Sequence, residues 1–596
     1  MTKCWNAWPE SLLYPNLISP AAPISVGAVF LPLPPLPDRL MVAGTFCVYR
    51  SLLLMGLLTG LGWMAVAAAA VQPPKSDQAP AADQQAVQLK SATPAEFGKF
   101  ADSLAGRGLW ISRLSTRVHR GSQVFDATAE PNTGELAWFV HANLTADEFA
   151  EKQKTYSADG FVLRASQILT MRPRKLHLGL WTQDTEAKVE LQLPAGNLPE
   201  SGSTGATLEP LNALFREFLQ QQQVPGATVA VSRDGKVLYE RAFGWASVDH
   251  QTPMQPDTEL RIASISKPLT SVAVLQLEAA GKLSLDAPVL PLLAQHSEGF
   301  PTAQALRADP RWADIQVRHL LQHTAGFDRE KSKDTMFELV TIAASLRLER
   351  PPNVNDIVRY QLQQPLDFAP GSEFQYSNVG YCLLGRIIEA VSQTSYEDFV
   401  RQHILIPSGM QQTRLGKTRL EQRGDREAVY VARNRRRIPL VFDLLKRPRT
   451  ETQLVETPWG QWDLEVMDAH GGWVSTAGDL VRFAEAMSAS EHSLLQEKSL
   501  QLMLQRPALP EQSTAPTWYG LGWNVRGLAE VRKSNLWHTG LLSGTSSLLV
   551  RRWDDCCWAV LFNCDRTKSE QPCTATIDGP MHGAVDQSLQ LLPAQP

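Results

Sequence analysis

The alternation of apolar and polar residues changes character several times along the chain. A continuous apolar run occupies residues 51–70, and apolar residues with helical spacing follow over 208–223. Residues 226–244 form two alternating runs joined by Asp234-Gly235, a dipeptide typical of a tight β-hairpin. A second helix-like apolar run begins directly after Lys267. Helices and hairpins within one segment predict a large α+β domain in the C-terminal part of the chain.

A repeat with a period of fifty-two residues precedes that domain. Thr-Pro-Ala-Glu-Phe at 93–97 and Thr-Ala-Asp-Glu-Phe at 145–149 each place Glu three residues after Thr, which is the pattern of a helix N-terminal capping box. Gly108 and Gly160 stand where each helix would end, and strand-like runs follow both glycines. We interpret residues 93–190 as a small α+β unit of two helix-then-strands repeats.

Two segments have the composition of linkers. Residues 72–92 are rich in Pro, Gln, Ala and Asp, and residues 191–206 contain Pro, Gly and Ser. The predicted order is a mis-assigned start with a signal peptide or anchor over 1–71, then a linker, the repeat unit, a second linker, and the large domain over 207–596.

The beginning of the chain predicts export. Arg50 precedes the apolar run, and the alanines at 68–70 offer a small-residue cleavage site, as in a secretory signal peptide. Met41 is then a better start than Met1. The alternative is an uncleaved anchor, because the apolar run is almost long enough to span a bilayer. We therefore expect a periplasmic or secreted protein that is attached to the membrane only if the signal stays uncleaved.

Composition narrows the function classes. A chain of 596 residues with 43% hydrophobic and 20% charged residues is long enough for two or more globular domains. A formal net charge of −4 gives no case for nucleic-acid binding. Seven cysteines are too few and too scattered for a zinc site or a disulfide scaffold. In an oxidising compartment, Cys564 could pair with Cys573 or with Cys556 or Cys557.

Candidate chemistry begins with the segment Ser264-Ile-Ser-Lys267. Residues three apart share one face of a helix, so Ser264 Oγ and Lys267 Nζ can meet. A serine hydroxyl needs a neighbouring base to act as a nucleophile. Lysine can be that base only if burial or nearby positive charge lowers its pKa. Ser266 adjoins Lys267 and therefore faces elsewhere, so the assignment of Ser264 depends on further partners downstream.

Two downstream segments, Tyr376-Ser-Asn378 and His538-Thr-Gly540, supply partners of the required types. Tyr376 can shuttle a proton to a leaving group. Asn378 can hydrogen-bond a substrate amide or hold Lys267, and His538 can place positive or dipolar character beside the site. Around Gly540 the backbone N–H groups can stabilise an oxyanion, because glycine allows close approach.

These motifs, S-x-x-K, Y-x-N and H-T-G, resemble the serine β-lactamase-related family, which includes class C β-lactamases, DD-peptidases and esterase-like hydrolases. Residues 317–326, 471–480 and 519–523 add to the resemblance, which covers about residue 208 to the end. It implies an antiparallel sheet flanked by helices, an all-helical lobe, and a site between them. The N-terminal repeats loosely resemble those of polyglycine-hydrolase-like proteins.

The resemblance also implies roles for individual residues. Tyr376 and Lys267 would share the acid–base work, and the backbone N–H groups of Ser264 and Leu541 would form the oxyanion hole. The implied substrate-binding and oxyanion positions are Asn378, His538, Thr539, Gly540 and Leu541. True β-lactamases usually carry lysine where this chain has His538, so the histidine favours an esterase or a peptidase.

The sequence therefore predicts an exported serine hydrolase that forms an acyl-enzyme on an ester, amide or peptide bond, with a cell-wall-related substrate as one option. The alternatives are a true β-lactamase and a catalytically silent binding protein with the same fold. The expected partner is a small-molecule or peptide substrate, and cell-wall association stays open. No nucleic acid, metal or cofactor is expected.

Overall fold

The computed structural model describes the chain from residue 86 to residue 591, with gaps. The described residues are 86–104, 109–131, 138–158, 160–183, 191–194, 196–202, 208–433, 437–443, 453–487, 493–530 and 533–591. The predicted signal segment and the start at Met41 lie outside them. Among these residues, no helix is both long and apolar enough to cross a bilayer.

The N-terminal unit runs strand, helix, strand, strand, and then repeats that order. Its elements are β1 (Val87–Ala92), α1 (Pro94–Leu104), β2 (Leu109–His119), β3 (Ser122–Pro131), β4 (Trp138–Leu144), α2 (Ala146–Ala158), β5 (Phe161–Met171) and β6 (Arg174–Gln183). Each repeat forms an antiparallel three-stranded sheet, in the orders β1-β3-β2 and β4-β6-β5.

The fifty-two-residue period extends to the irregularities of the backbone. The register of β1 shifts near its end, and β4 shifts at the corresponding point. Ser91 and Asn143, fifty-two residues apart, both have positive φ angles, of 51° and 63°. The two segments are therefore copies of one supersecondary unit, as the sequence predicts.

Capping boxes begin both helices of the unit. Thr93 N donates to Glu96 Oε2 at 2.8 Å, and Thr145 N donates to Glu148 Oε2 at 2.7 Å. Each contact satisfies a backbone N–H group at a helix N-terminus, where the helix itself offers no acceptor. The predicted helix starts are confirmed.

The predicted beginning of the unit is wrong. Residues 87–92 belong to the predicted linker 72–92, but they form β1 and pair with β3. The helix-then-strands order is accordingly corrected to strand, helix, strand, strand. Side chains of β1 are mostly half-exposed or exposed, so this strand is held by pairing with β3 and carries little apolar signal of its own.

The large domain contains the remaining strands. They are β7 (Glu200–Ser201), β8 (Gly226–Arg233), β9 (Lys236–Ser247), β10 (Thr252–Pro253), β11 (Leu260–Arg261), β12 (Arg414–Leu415), β13 (Arg437–Pro439), β14 (Leu454–Glu456), β15 (Trp473–Ser475), β16 (Thr517–Tyr519), β17 (Asn524–Gly527), β18 (Ser534–Leu542), β19 (Thr545–Arg551) and β20 (Cys556–Phe562). The main sheet is antiparallel in the order β10-β9-β8-β20-β19-β18-β17-β16, and β11-β15-β12 form a small second sheet.

Its helices follow the order α3 (Glu209–Gln222), α4 (Ser266–Ala279), α5 (Val289–Leu293), α6 (Thr302–Ala308), α7 (Val317–Leu321), α8 (Arg329–Ser332), α9 (Leu339–Ser345), α10 (Val354–Gln361), α11 (Asn378–Ser392), α12 (Tyr396–Val400), α13 (Ile406–Ser408), α14 (Ala477–Glu485), α15 (Glu497–Met503) and α16 (Cys573–Leu591). A π-helical turn, Arg401–Leu405, joins α12 to α13. Single 3₁₀ turns occupy Ala263–Ile265, Pro310–Asp314, Thr335–Phe337, Leu420–Gln422, Thr457–Trp459, Glu465–Met467 and Pro510–Gln512.

Helices cover both faces of the main sheet. On one face, α3 and α16 pack Phe215 and Ile577 against Val229 and Val560 of the sheet. On the other face α14 and α4 join the larger apolar core, where α4 is buried on nearly all sides. A helix that is apolar all round is one that lies in a core. The predicted α+β fold, with an antiparallel sheet flanked by helices and a helical lobe, is confirmed.

Local predictions for this domain hold at one connection and need correction at another. The hairpin β8–β9 turns at Asp234 and Gly235, whose φ angles are 52° and 75°, as a tight hairpin turn requires. The predicted linker 191–206 is not all connection, because Glu200 and Ser201 pair with Phe243 and Ala242 of β9. These two residues are ordered by their pairing with β9.

All five described cysteines carry free thiols and are buried. Cys564 Sγ donates to the carbonyl of Arg566 at 3.3 Å. The disulfide options for Cys564 are therefore absent from the described part of the chain.

Candidate active site

Ser264 lies in the 3₁₀ turn Ala263–Ile265, between β11 and α4. Ala263 and Ile265 are buried, whereas Ser264 is only half-buried. Ala263 has a φ angle of 47°, which a residue with a Cβ adopts at a cost of about 1 kcal/mol. Ser266 Oγ donates to the Ala263 carbonyl at 2.7 Å and holds the turn. The predicted helix face is thus a turn that leads into the helix, and it presents Ser264 alone.

Lys267 is fully buried, and its Nζ atom has three close polar neighbours. Ser264 Oγ lies 3.1 Å away, Asn378 Oδ1 2.7 Å and the His470 carbonyl 3.1 Å. Burial lowers the pKa of Lys267 well below its usual value, and the Arg329 charge lowers it further, while Asp334 raises it. Desolvation therefore favours a neutral amine.

The neutral amine fits these neighbours. It has two N–H groups, which can donate to the Asn378 and His470 oxygens, and one lone pair. That lone pair is left for the hydroxyl of Ser264, which can donate to it. The arrangement is that of a general base beside a nucleophile.

Tyr376 stands next to both groups. Its side chain hydrogen-bonds Ser264, and Lys267 Nζ lies 4.7 Å from the centre of its ring. Burial raises the pKa of Tyr376 above its usual value, although the Ser264 hydrogen bond and the Arg329 charge lower it. The phenol therefore keeps its proton at neutral pH and can donate it.

Asn378 connects Lys267 to a carboxylate that sequence reasoning missed. Asn378 begins α11, which Ser377 caps by accepting from Gly380 N at 3.2 Å. Its Nδ2 donates to Asp334 Oδ2 at 2.7 Å, while its Oδ1 accepts from Lys267. Burial raises the pKa of Asp334, and the Arg329 charge and the Asn378 hydrogen bond lower it. Asp334 holds the amide so that its oxygen faces the lysine.

Strand β18 brings His538, Thr539, Gly540 and Leu541 to the nucleophile. The pairing of β18 with β17 ends at Trp537, whereas its pairing with β19 continues to Leu542. A Cβ atom on Gly540 would lie 2.1 Å from the Ile262 carbonyl and 2.3 Å from Ser547 Oγ. Only glycine allows this contact with the nucleophile turn. The motif lies inside β18, two residues before its end at Leu542.

His538 is neutral and fully engaged by the protein. Its Nδ1 lies 2.7 Å from the Thr539 carbonyl and its Nε2 lies 2.9 Å from Tyr519 Oη. A carbonyl only accepts, so the proton sits on Nδ1 and Nε2 accepts from the tyrosine hydroxyl. Burial lowers the pKa of His538 to about 3, with the Lys267 charge as a further cause. Of the two predicted characters, positive or dipolar, the geometry supports the dipolar one.

Among the predicted site residues, Lys267 is in direct contact with both Ser264 and Asn378, and Tyr376 contacts Ser264. His538 is connected to them through aromatic rings. It contacts Tyr519, and the ring centre of His323 lies 4.5 Å from that of Tyr519 and 4.3 Å from that of Tyr376. Within the described ranges, no group of three or more His, Cys, Asp or Glu side chains could hold a metal ion. Ser264 N–H and Leu541 N–H stay predicted oxyanion donors.

The fold and this site define a class, the serine hydrolases with a lysine beside the nucleophile. The Beta-lactamase family matches residues 211–578, more than half of the chain, and the chain belongs to that family. The chain is 27% identical over 445 residues to the serine beta-lactamase-like protein LACTB of Homo sapiens, which covers 63% of this chain and 76% of that protein.

Other curated relatives carry hydrolase and penicillin-binding names. The chain is 29% identical over 353 residues to penicillin-binding protein 4* of Bacillus subtilis, covering 58% of this chain and 69% of that protein. It is 33% identical over 202 residues to esterase EstB of Burkholderia gladioli, covering 34% of this chain and about half, 49%, of the esterase. A solved D-amino acid amidase from Ochrobactrum anthropi is 21% identical with a TM-score of 0.47, and covers 65% of this chain and 99% of that chain.

Proposed function

We propose that this protein is an exported serine hydrolase that cleaves an ester, amide or peptide bond through an acyl-enzyme. The observation that carries the proposal is the set of contacts at Lys267 Nζ. Two acceptors and the Ser264 hydroxyl surround a fully buried lysine, which together favour a neutral base.

The reaction follows from these contacts. Ser264 Oγ attacks the carbonyl carbon of the substrate as its proton passes to Lys267 Nζ. The oxyanion is stabilised by the predicted N–H donors of Ser264 and Leu541. Tyr376 donates its proton to the leaving group, and Lys267 then returns a proton to Tyr376. Water attacks the acyl-enzyme by the reverse proton path and frees Ser264.

The state of His538 bears on the substrate. A neutral histidine whose two nitrogens are occupied offers no cation at the position where true β-lactamases usually have lysine. Esterase or peptidase activity is therefore favoured over efficient antibiotic hydrolysis, and a cell-wall-related peptide is one candidate substrate. The alternative of a silent binding protein is disfavoured because Ser264, Lys267 and Tyr376 are all present and in contact.

A substrate panel with covalent labelling tests the function. We expect a serine-reactive phosphonate to add once per chain, on the peptide that contains Ser264. We also expect turnover of p-nitrophenyl esters, D-alanyl dipeptides or glycine-rich peptides that exceeds turnover of nitrocefin. Absence of labelling in folded protein would favour the silent binding protein, and fast nitrocefin turnover would favour a β-lactamase.

The Asp334 contact predicts a shift in the pH profile. Activity needs neutral Lys267, so it should fall as the pH drops through the pKa of this lysine and protonates it. Asp334 raises that pKa, so Asp334→Asn should move the acid limb of kcat/KM to lower pH. The loss of a charge-assisted hydrogen bond to Asn378 should also lower kcat/KM at the optimum by about tenfold.

A pH–rate profile of the purified protein measures both effects. Glu349→Gln, which removes an exposed carboxylate elsewhere on the surface, is the control for the change in net charge and should leave the limb in place. An acid limb that stays in place, or moves to higher pH, in Asp334→Asn would show that Lys267 is not the group that titrates.

The export part of the proposal is supported by the sequence of residues 50–70 alone. We expect the mature protein to begin after the alanines at 68–70. Mass spectrometry of its amino terminus after expression with the natural start checks this, and a retained residue 51–70 segment would favour the anchor.

A further inference from the structure

Arg329, on the short helix α8, lies against the catalytic tyrosine, and the N–H groups of its guanidinium are free to donate. Its guanidinium carbon lies 5.3 Å from the centre of the Tyr376 ring. Its closest charged neighbour is Glu330, with 3.6 Å between Nε and Oε1, which is beyond hydrogen-bond distance. Within the described chain, no residue forms a hydrogen bond with this guanidinium. Its side chain is 21% exposed, so it is mostly buried yet reachable.

Burial disfavours the charged form of the other basic groups of the site. Burial lowers the pKa of Lys267 and of His323 well below their usual values, and that of His538 to about 3. Arginine stays charged under all ordinary conditions. Its positive charge acts on Lys267, His323 and Tyr376, which places it in the electrostatic field of the site.

Asp334 does not form an ion pair that would neutralise the charge of Arg329. Its Oδ2 accepts from Asn378 and its Oδ1 accepts from Met336 N at 3.2 Å. Arg329 influences the pKa of Asp334 but forms no ion pair with it among the described contacts. The planar fork of the guanidinium is therefore open to an anion from outside the protein.

We propose that Arg329 binds a carboxylate carried by the substrate and makes the site selective for anionic substrates. The proposal rests on the serine hydrolase function given above and names a substrate class for it. A group that lies on the Tyr376 ring is close to the tyrosine hydroxyl that contacts Ser264, so a carboxylate held there belongs to a substrate whose scissile bond is at Ser264. The carboxylate can come from the acyl part or from the leaving group.

Two pairs of thioesters distinguish these sources. One pair keeps a phenylacetyl group and changes the leaving thiol from mercaptoacetamide to mercaptoacetate. The other keeps mercaptoacetamide and changes the acyl group from adipamoyl to adipoyl. We expect the wild-type protein to prefer the charged member of one pair, and Arg329→Gln to reduce that preference about 10- to 100-fold, which is the effect of a lost bidentate contact.

Arg329→Lys should restore part of the preference, since it keeps the charge but not the fork. Lys331→Gln removes an exposed positive charge from the same helix, where the side chain is 65% exposed, and should leave both ratios unchanged. Equal losses of activity on charged and neutral substrates in Arg329→Gln would overturn the proposal. Arg329 would then act only on the pKa values of Tyr376 and Asp334.

Phosphonate labelling separates the two levels of failure. Wild-type protein that is labelled at Ser264 but shows no preference for either carboxylate counts against Arg329 alone. Wild-type protein that is folded and not labelled counts against the serine hydrolase function itself.

Discussion

Ser264→Ala is expected to lower kcat/KM by roughly 10⁴-fold or more and to prevent labelling by a serine-reactive phosphonate. The substitution removes the atom that forms the acyl bond, and Lys267 and Tyr376 cannot replace it. Ser264 is only half-buried and its Oγ atom contacts Lys267 and Tyr376, so the fold should persist. Hydrolysis assays and intact-mass measurement, with circular dichroism for folding, check the prediction.

Ser266 provides the matched control, because it lies in the same motif with the opposite environment. It is fully buried, and its Oγ donates to the Ala263 carbonyl at 2.7 Å. Ser266→Ala should lose about 1 kcal/mol of stability through that hydrogen bond and should still take one phosphonate per chain. Labelling that survives Ser264→Ala and disappears in Ser266→Ala would exchange the two roles.

The distinction between the two serines could be predicted from spacing, but the geometry that enforces it could not. The spacing of three positions from Ser264 to Lys267 suffices to predict that they meet on one side of a helical turn. The left-handed Ala263, which turns Ser264 out of the helix, depends on contacts from distant segments. The Ile262 N–H donates to the carbonyl of Trp473 in β15, and the Ile262 carbonyl accepts from Ser547 Oγ in β19. A local pattern carries no sign of such partners.

The same limit applies to Asp334 and Arg329. Arg329 lies on the short helix α8 and Asp334 in the connection that follows it. This segment between two motifs has no periodicity, and neither residue adjoins a residue of the predicted site in sequence. Asp334 is forty-four residues from Asn378, the amide it orients. A charged loop residue is usually solvated, so the sequence offered no reason to single out these two. Only the folded chain brings them to Lys267 and Tyr376.

In the N-terminal unit the prediction succeeded where residues repeat and failed where pairing alone makes the structure. Thr93 and Thr145 predict the starts of two helices, because each cap is an interaction between residues three apart. The strand Val87–Ala92 has no such mark. Its order comes from hydrogen bonds to β3, more than thirty residues away along the chain. Repetition could have located it, since β4 occupies the equivalent position one period later.

Lys267→Met is expected to lower kcat/KM by about 10³-fold, within the range that a general base contributes. Methionine has nearly the length of lysine and suits a fully buried site, so it removes the base without opening a large cavity. It also leaves Asn378 Oδ1 and the His470 carbonyl without their donor, at a cost of about 1–3 kcal/mol each. The melting temperature should therefore fall while the protein stays folded.

Lys282→Met, at an exposed position beyond the end of α4, controls for the loss of a lysine and should keep full activity. The rate of phosphonate labelling reports the first chemical step alone, because it needs only activated Ser264. If Lys267→Met is labelled as fast as the wild-type protein, Lys267 is not the base that activates Ser264, and Tyr376 becomes the candidate.

Burst kinetics with a p-nitrophenyl ester then show whether the lysine acts once or twice. Asn378 and His470 hold Lys267 Nζ beside Ser264 Oγ, the atom that becomes the ester oxygen on acylation. If the lysine serves both half-reactions, its removal slows both, so no acyl-enzyme should accumulate in Lys267→Met. Accumulation of acyl-enzyme in the variant would mean that acylation proceeds without the amine and that only attack by water depends on it. The contacts of Nζ with Asn378 and His470 favour the first result, because neither involves the Ser264 oxygen that is acylated.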